Sequence, residues 1–270
     1  IEVYSKGISD LTGIEYFTSL ETLWCFNNKL TAIDVSNNTA LTCLFCDFNQ
    51  LTSIDVSKNT KLFSFTCEGN QLTSLDLSNN PTLRSLYCLK NPLTSLDLSN
   101  NTNLGYLHCA ENQLTSLDLS NNTALKELYC SKNQLTSLDL SNNPKLTKLY
   151  CYKNKLTSLD LSNNTALEIL KADDNKFEIA LTGKTFDLST LPTGFDVSKA
   201  SEWTNGTVKG NILTVEDITK EVTYKYDCGN KTAEKFTLIP QIEETPAETT
   251  TTTAAPETTI TTTATTTVTT

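Results

Sequence analysis

The sequence has little positive charge, a single histidine and no methionine. Its 21 Lys and Arg residues are outnumbered by 31 Asp and Glu, so the formal net charge is −10 and no basic face is available to bind nucleic acid. It also lacks an apolar run near the roughly 20 residues that span a bilayer, which predicts no membrane insertion. The chain begins at Ile1 without a signal peptide, so we expect a mature or trimmed chain.

Catalytic signatures are missing as well. The sequence contains no GxSxG, P-loop or HExxH motif and no Ser-His-Asp constellation, and nothing indicates a pair of glycosidase acids. The single histidine, His108, has no second His and no Cys pair at ligand spacing. We therefore predict a protein that is not an enzyme and that holds no metal and no cofactor.

What the chain does have is a 21-residue period. A fixed period of this length predicts a solenoid in which each unit packs only against its neighbours. Seven of the nine cysteines occupy one apolar position of the repeat, so we expect them to act as small buried hydrophobic side chains. We expect free thiols, because the Cβ vectors of stacked rungs run parallel and this arrangement does not suit a disulfide. The periodic cysteines are Cys25, Cys46, Cys67, Cys88, Cys109, Cys130 and Cys151.

One repeat, residues 125–135, shows how a unit folds. Leu128 and Cys130 alternate with Glu127 and Tyr129, which is the period-2 pattern of a half-buried strand. Further Leu residues and a Ser-Asn-Asn turn follow, so each unit makes one coil. A coil of 21 residues leaves little room for an α-helix, so we expect 3₁₀ or extended convex segments.

The repeat pattern, LxxLxCxxNxL, resembles a leucine-rich repeat with Cys at one of the Leu positions, and eight rungs carry it over residues 20–177. The resemblance implies a mainly β, right-handed solenoid with a parallel sheet on its concave side. Residues 8–20 resemble the entry segments of internalin-like bacterial surface proteins. We expect an N-terminal cap over residues 1–19 and the solenoid over residues 20–180.

Two further columns of polar residues share the period. An Asn lies three residues after each of the seven periodic cysteines and after Ala172, which takes the next position of the period, so the column runs from Asn28 to Asn175. We expect each amide to bond the backbone of its own rung and the next. An Asp column runs from Asp34 to Asp160, where we expect Asx-type caps; a ladder of calcium ions is the alternative.

The rhythm stops after residue 177. Five candidate strands at residues 184–188, 207–208, 211–215, 222–226 and 235–239, with Asn-Gly and Gly-Asn turns, predict a small all-β Ig-like module over residues 181–240. It resembles the short β domains that cap the solenoid in internalin-like proteins, and we expect a core of Phe195, Trp203, Tyr224 and Phe236. Residues 241–270 are rich in Thr and predict a disordered linker, which resembles linkers of secreted proteins from gut Firmicutes.

The outward positions of the strands vary from rung to rung, in contrast to the framework. The central outward residues form a stripe, and six of its eight members are aromatic or His in a chain with 8% aromatic residues. An exposed aromatic band roughly 35–40 Å long indicates a binding surface. Cross-strand stacking that only stabilises the sheet is the alternative. The stripe consists of Trp24, Phe45, Thr66, Tyr87, His108, Tyr129, Tyr150 and Lys171.

These features favour an extracellular, monomeric binding module that recognises a protein partner, in adhesion or another surface interaction. The first alternative is a carbohydrate-targeting module of a polysaccharide-degrading assembly, because aromatic platforms stack on sugar rings. The second is a passive spacer with no ligand. Cys43, the one thiol predicted on the concave side, is expected to be the most reactive. The residues predicted to contact the partner are Trp24, Phe26, Phe45, Tyr87, Tyr106, His108, Tyr129, Tyr150, Tyr152 and Lys171.

Overall fold

A computed structural model of the protein describes residues 1–242 and confirms the predicted solenoid. Eight short strands form one parallel sheet in the order β1 to β8, and equivalent residues of successive rungs lie directly opposite one another. The strands are β1 (Thr22–Trp24), β2 (Cys43–Phe45), β3 (Ser64–Thr66), β4 (Ser85–Tyr87), β5 (Tyr106–His108), β6 (Glu127–Tyr129), β7 (Lys148–Tyr150) and β8 (Ile169–Lys171).

The core follows from the alternation within each strand. The middle residue of β1 to β7, such as Leu44 or Leu128, points inward and is fully buried, whereas Leu170 in β8 is half-buried. The cysteine one residue beyond the strand is 0% exposed in each of the seven periodic positions. All nine thiols of the chain are free. Burial raises the pKa of these thiols, to about 12 for Cys25 and Cys109, so they remain protonated in the core.

The Asn column satisfies the backbone at the turn after each strand. The Nδ2 group of Asn49 donates to the carbonyl oxygens of Cys46 in its own rung (3.1 Å) and of Cys25 in the rung before (3.0 Å). Its Oδ1 atom accepts the N–H of Leu30 at 3.0 Å. The predicted role is correct, but the amide reaches the preceding rung and not the next one.

A second Asn ladder was not predicted. The sequence pattern placed these residues in turns and assigned them no further role. Each is 0% exposed, and the Nδ2 group of Asn59 donates to the carbonyl oxygens of Val35 and Asn38. The signal available in the sequence was an unbroken 21-residue spacing. The ladder consists of Asn38, Asn59, Asn80, Asn101, Asn122, Asn143 and Asn164.

The Asp column forms the predicted Asx caps. The Oδ1 atom of each Asp accepts the N–H of the Ser two residues later, at 2.8–2.9 Å, as in Asp97 and Ser99. This hydrogen bond holds the pKa of Asp97 below its ordinary value, although Asp118 and Asp76 raise it. The convex segments of the rungs contain turns and no helix in the part of the solenoid that the structure describes.

Residues 1–8 continue the solenoid as an incomplete rung. Glu2 forms a β-bridge with Trp24, and the N–H of Val3 donates to the Trp24 carbonyl oxygen at 2.8 Å. The N–H of Ile8 donates to the side chain of Asn28. A 3₁₀ helix at Ile14–Tyr16 then leads into the first full rung. The edge of the sheet at β1 is therefore covered by the residues that precede this strand.

After the last rung the chain forms two small sheets. One has the order β10-β13-β12 and the other β11-β14-β15-β9. The predicted core is present: Tyr224 and Phe236 are fully buried, and Trp203 stacks on Tyr224 with ring centroids 4.5 Å apart. The strands are β9 (Lys176–Leu181), β10 (Thr185–Asp187), β11 (Ala200–Thr204), β12 (Gly206–Lys209), β13 (Ile212–Val215), β14 (Val222–Gly229) and β15 (Thr232–Ile242), with 3₁₀ helices at Leu188–Thr190 and Val197–Lys199.

Strands β9 and β11 were not among the five predicted. Strand β9 pairs with β15 in parallel and crosses the predicted boundary at residue 181, so the chain passes from solenoid to C-terminal sheets within one strand. Local pattern could not show this, because β9 pairs with a strand more than 50 residues later. The Thr-rich linker predicted for residues 241–270 lies outside the described residues, except for its first two.

The C-terminal sheets take the place of a ninth rung. The Nδ2 group of Asn230 donates to the Asn164 carbonyl oxygen at 3.1 Å, the bond that a further ladder Asn would make. The N–H of Leu161 donates to Cys228, and the Tyr224 hydroxyl donates to Thr157 at 2.5 Å. Three backbone groups at the end of the solenoid, the N–H of Leu161 and the carbonyl oxygens of Thr157 and Asn164, are therefore satisfied. Within residues 1–242, no helix is long and apolar enough to cross a membrane.

Candidate binding surface

The outer face of the sheet carries the stripe predicted from the sequence. Register pairing places Trp24 opposite Phe45, Phe45 opposite Thr66, and so on along the sheet to Lys171. Because the middle residue of each strand points into the core, its two neighbours must point outward. The members of the stripe are half-buried or exposed, apart from Thr66, which is 9% exposed.

The rings group into two clusters. In the first, the N-terminal aromatic cluster, Trp24 meets Phe45 edge to face at 5.8 Å, and Tyr4 stacks on Phe26 at 4.7 Å with nearly parallel planes. Tyr4 also approaches Trp24, at 6.4 Å. Tyr4 was missed from the sequence because it lies 22 residues before Phe26, one residue out of register with the period.

The second group, the C-terminal aromatic cluster, contains Tyr87, His108, Tyr129 and Tyr150. Tyr87 and His108 meet edge to face at 5.9 Å, His108 and Tyr129 are 4.8 Å apart, and Tyr129 stacks on Tyr150 at 4.6 Å with 13° between the planes. Burial lowers the pKa of His108 from its ordinary value, in spite of the nearby carboxylates of Glu68 and Glu111. His108 is therefore neutral near pH 7 and acts as one more ring of the cluster.

Charged side chains beside the second cluster are already paired. The Nζ atom of Lys148 lies 3.0 Å from Glu127, and the Tyr129 hydroxyl donates to the same carboxylate at 3.1 Å. Tyr106 is 38% exposed at the start of β5, Tyr152 is half-buried after β7, and Lys171 is exposed at the last rung. These three lie on the predicted face, but none has a ring contact among residues 1–242.

Between the clusters the stripe has a gap, at Thr66. Phe45 and Tyr87 flank Thr66 on the neighbouring strands. The carboxylate of Asp47 accepts a hydrogen bond from the Thr66 hydroxyl and another, at 2.8 Å, from the N–H of Glu68. Burial raises the pKa of Asp47, and the charge of Glu68 adds to the rise. Glu68 itself pairs with Lys90 at 3.3 Å.

No three His, Cys, Asp or Glu side chains lie close enough together to hold a metal ion in the part of the chain that the structure describes. Clefts along the convex side, such as the one between Asp97 and Asp118, are lined mainly by Ser, Leu and Asn. Cys43 is the only half-buried thiol, since the other eight are buried, and it lies on the outer face as predicted.

Comparisons with known proteins agree with this architecture. The family model described as leucine-rich repeats matches residues 18–59 and 123–181. The structure is similar to the functional domain of InlJ from Listeria monocytogenes, a domain that includes a cysteine ladder, with 29% identity and a TM-score of 0.64. That match covers 87% of this chain, which spans 60% of the InlJ domain. No curated protein matches by sequence.

Two further solved structures show the same fold. Internalin C2 from Listeria monocytogenes matches with 24% identity and a TM-score of 0.61, covering 63% of this chain and 78% of that one. YopM, a leucine-rich effector protein from Yersinia pestis, matches with 26% identity and a TM-score of 0.56, covering 65% and 49%. The chain thus matches leucine-rich repeats over residues 18–59 and 123–181, and its solenoid is folded like that of InlJ.

Proposed function

We propose that this chain is a non-catalytic binding module that recognises a protein partner through the outer face of the sheet. The observation that carries the proposal is the stripe: aromatic side chains from successive strands lie in register on one face, half-buried or exposed. Tyr and Trp supply large contact areas at low entropic cost, and they are enriched in the residues that dominate binding energy.

The way the rings pack favours a protein over a glycan. Sugar rings bind by lying flat on an open aromatic face, but Tyr129 and Tyr150 stack on each other and so cover each other's faces. Their edges and hydroxyls remain available, which suits the mixed apolar and hydrogen-bonding contacts of a protein interface. Stacking also stabilises the sheet, by about 0.5–1.5 kcal/mol for each pair.

The setting of the module is part of the proposal. Similarity to internalin-like neighbours supports a surface or secreted location, and we propose a role there in adhesion or another surface interaction. We propose a monomer divided into a cap over residues 1–19, a solenoid over 20–180 and an Ig-like module over 181–240. The bonds from Asn230 and Tyr224 to the last rung support a cap function for that module.

The proposal is tested by probing an array of bacterial and eukaryotic surface proteins, with a glycan array in parallel. The test variant replaces Trp24, Tyr87, Tyr129 and Tyr150 by Ala. A matched control replaces Thr73, Thr94 and Thr115 by Ala, since these threonines are exposed at equivalent positions of three rungs outside the sheet. Circular dichroism and urea unfolding establish that both variants fold; Tyr87→Ala alone serves if the fourfold variant does not.

We expect the wild type and the control to bind the same protein, and the stripe variant to bind at least about tenfold more weakly. Equal binding by all three chains would place the interface elsewhere and refute the proposal. Binding to glycans alone, lost in the stripe variant, would assign the surface to carbohydrate recognition. If neither array shows binding that depends on the stripe, the stripe only stabilises the sheet and the chain is a spacer.

A further inference from the structure

The gap at Thr66 divides the outer face of the sheet into two aromatic halves with an acidic group between them. Phe45 is opposite Thr66, and Thr66 is opposite Tyr87, so the backbone positions of Phe45 and Tyr87 lie two strand spacings apart, or about 9.6 Å. Neither ring packs on the other; Phe45 contacts Trp24, and Tyr87 contacts His108. The Thr66 side chain between them is 9% exposed, and its hydroxyl donates to the Asp47 carboxylate, so this carboxylate and not a ring occupies the position.

The acidic group in this gap lacks a cation. Among residues 1–242, Glu68 pairs with Lys90 and Glu127 pairs with Lys148, but no ion pair involves Asp47. Its carboxylate accepts hydrogen bonds from Thr66 and Glu68, one at each oxygen. Since an ionised carboxylate offers about four acceptor positions, both oxygens can accept another donor. A partner that supplies a cation would form an ion pair with this half-buried carboxylate.

The gap has the chemistry for a guanidinium group. The Asp47 carboxylate bonds to Thr66, which lies between Phe45 and Tyr87, so a cation that binds this carboxylate comes close to an aromatic ring. Guanidinium stacks on aromatic faces and donates in a fork that matches a carboxylate, whereas the ammonium of Lys is a strongly hydrated point charge. The net charge of −10 also favours a basic segment.

We propose that the Thr66 gap is the arginine-binding position of this surface: an Arg side chain of the protein partner bonds to Asp47 and packs against Phe45 and Tyr87. This inference rests on the proposed function and identifies the chemistry of the partner at one point of the stripe. The apolar neighbours of that Arg then lie on the N-terminal and C-terminal aromatic clusters to either side. The raised pKa of Asp47 agrees with a carboxylate that has lost water without gaining a cation.

The test uses three short peptides that differ in one central residue, Arg, citrulline or Lys, in an otherwise Gly-Ser sequence. Each is titrated into the full chain labelled with ¹⁵N, and backbone amide shifts are followed. The amide of Glu68 is a direct reporter because it donates to Asp47. The variants are Asp47→Asn, which keeps the side-chain shape, and Thr66→Tyr, which fills the gap. Asp97→Asn, in an exposed Asx cap away from the sheet, is the control.

We expect the Arg peptide to shift the amides of Thr66 and Glu68 saturably, and the citrulline and Lys peptides to bind at least about tenfold more weakly. Asp47→Asn and Thr66→Tyr should weaken Arg binding by a similar factor, and Asp97→Asn should not change it. Thr66→Tyr separates recognition by Asp47 from recognition by aromatic area, because the added ring lengthens the aromatic stripe. Tighter binding of the Arg peptide to this variant would show that aromatic area determines the affinity and would overturn the inference.

Other results would overturn it as well. Equal binding of the citrulline peptide would show that charge is not recognised, and equal binding of the Lys peptide would remove the assignment to a planar guanidinium. Shifts that map to the Asx caps would place the contact outside the sheet. None of these results bears on the array experiment, which measures the whole stripe; loss of array binding in the stripe variant would stand even if the Arg peptide failed.

Discussion

Asn91→Ala is the substitution that tests most directly how the solenoid is held together. The side chain is 4% exposed, and its Nδ2 group donates to the carbonyl oxygens of Cys67 at 3.0 Å and of Cys88 at 3.1 Å. Its Oδ1 atom accepts the N–H of Leu72 at 3.0 Å. Both carbonyl oxygens keep a second ladder Asn as donor, but the N–H of Leu72 loses the partner that the side chain provided.

The expected cost follows from these bonds. A buried N–H left without a partner costs about 2 kcal/mol, and the two lost bonds to cysteine carbonyls cost about 1 kcal/mol each, so the sum is about 4 kcal/mol. This is a large fraction of the 5–15 kcal/mol that typically separates folded from unfolded domains. Because each rung contacts only its neighbours, the loss is also expected to weaken cooperation between the two halves of the solenoid.

The assay is urea unfolding followed by circular dichroism, with Asn100→Ala as the matched control. Asn100 is an exposed Asn in the turn of the same rung, and its side chain makes one hydrogen bond, to the carbonyl oxygen of Ser78. The control should change the free energy of unfolding by less than about 0.5 kcal/mol. A loss below about 1 kcal/mol for Asn91→Ala, or equal losses for both variants, would refute the argument that the ladder stabilises the fold by satisfying buried backbone groups.

Three further predictions address other features. Lys153 has a φ of 55° in the left-handed region, so Lys153→Gly should stabilise the chain by about 0.5–1 kcal/mol in the same urea assay; destabilisation would contradict this. Iodoacetamide should modify one thiol of the native protein, Cys43, as counted by mass spectrometry, and none in Cys43→Ser; modification of buried thiols would show that the core opens. The pKa of Asp97 is lower in the folded chain than its ordinary value. Its contribution to stability is therefore present above the ordinary pKa and is lost as the pH falls through the folded pKa. Between pH 5 and pH 2, Asp97→Asn should lose less stability than the wild type, and equal losses would contradict the prediction.

Much of the solenoid could be predicted because its contacts repeat with the sequence. The strand positions, the inward Leu and Cys columns and the Asx caps each recur every 21 residues, so one rung determines the next. Errors occurred where the contact partner lies outside this period. Tyr4 is one residue out of step with Phe26, and strand β9 pairs with β15, which follows the end of the repeats. The second Asn ladder was missed for another reason, because Asn in a Ser-Asn-Asn turn has the same local pattern whether exposed or buried.

The candidate surface divides in the same way. Its members could be named from the sequence, since side chains in a strand alternate and an inward Leu requires outward neighbours. Their grouping could not, because whether two rings stack depends on their rotamers and on the twist between strands. The sequence alone therefore determined a solenoid with a line of aromatic residues on one face. Only the tertiary structure decided that this line is two clusters separated at Thr66, with the carboxylate of Asp47 unpaired between them, because that depends on which side chains of neighbouring rungs reach one another in space.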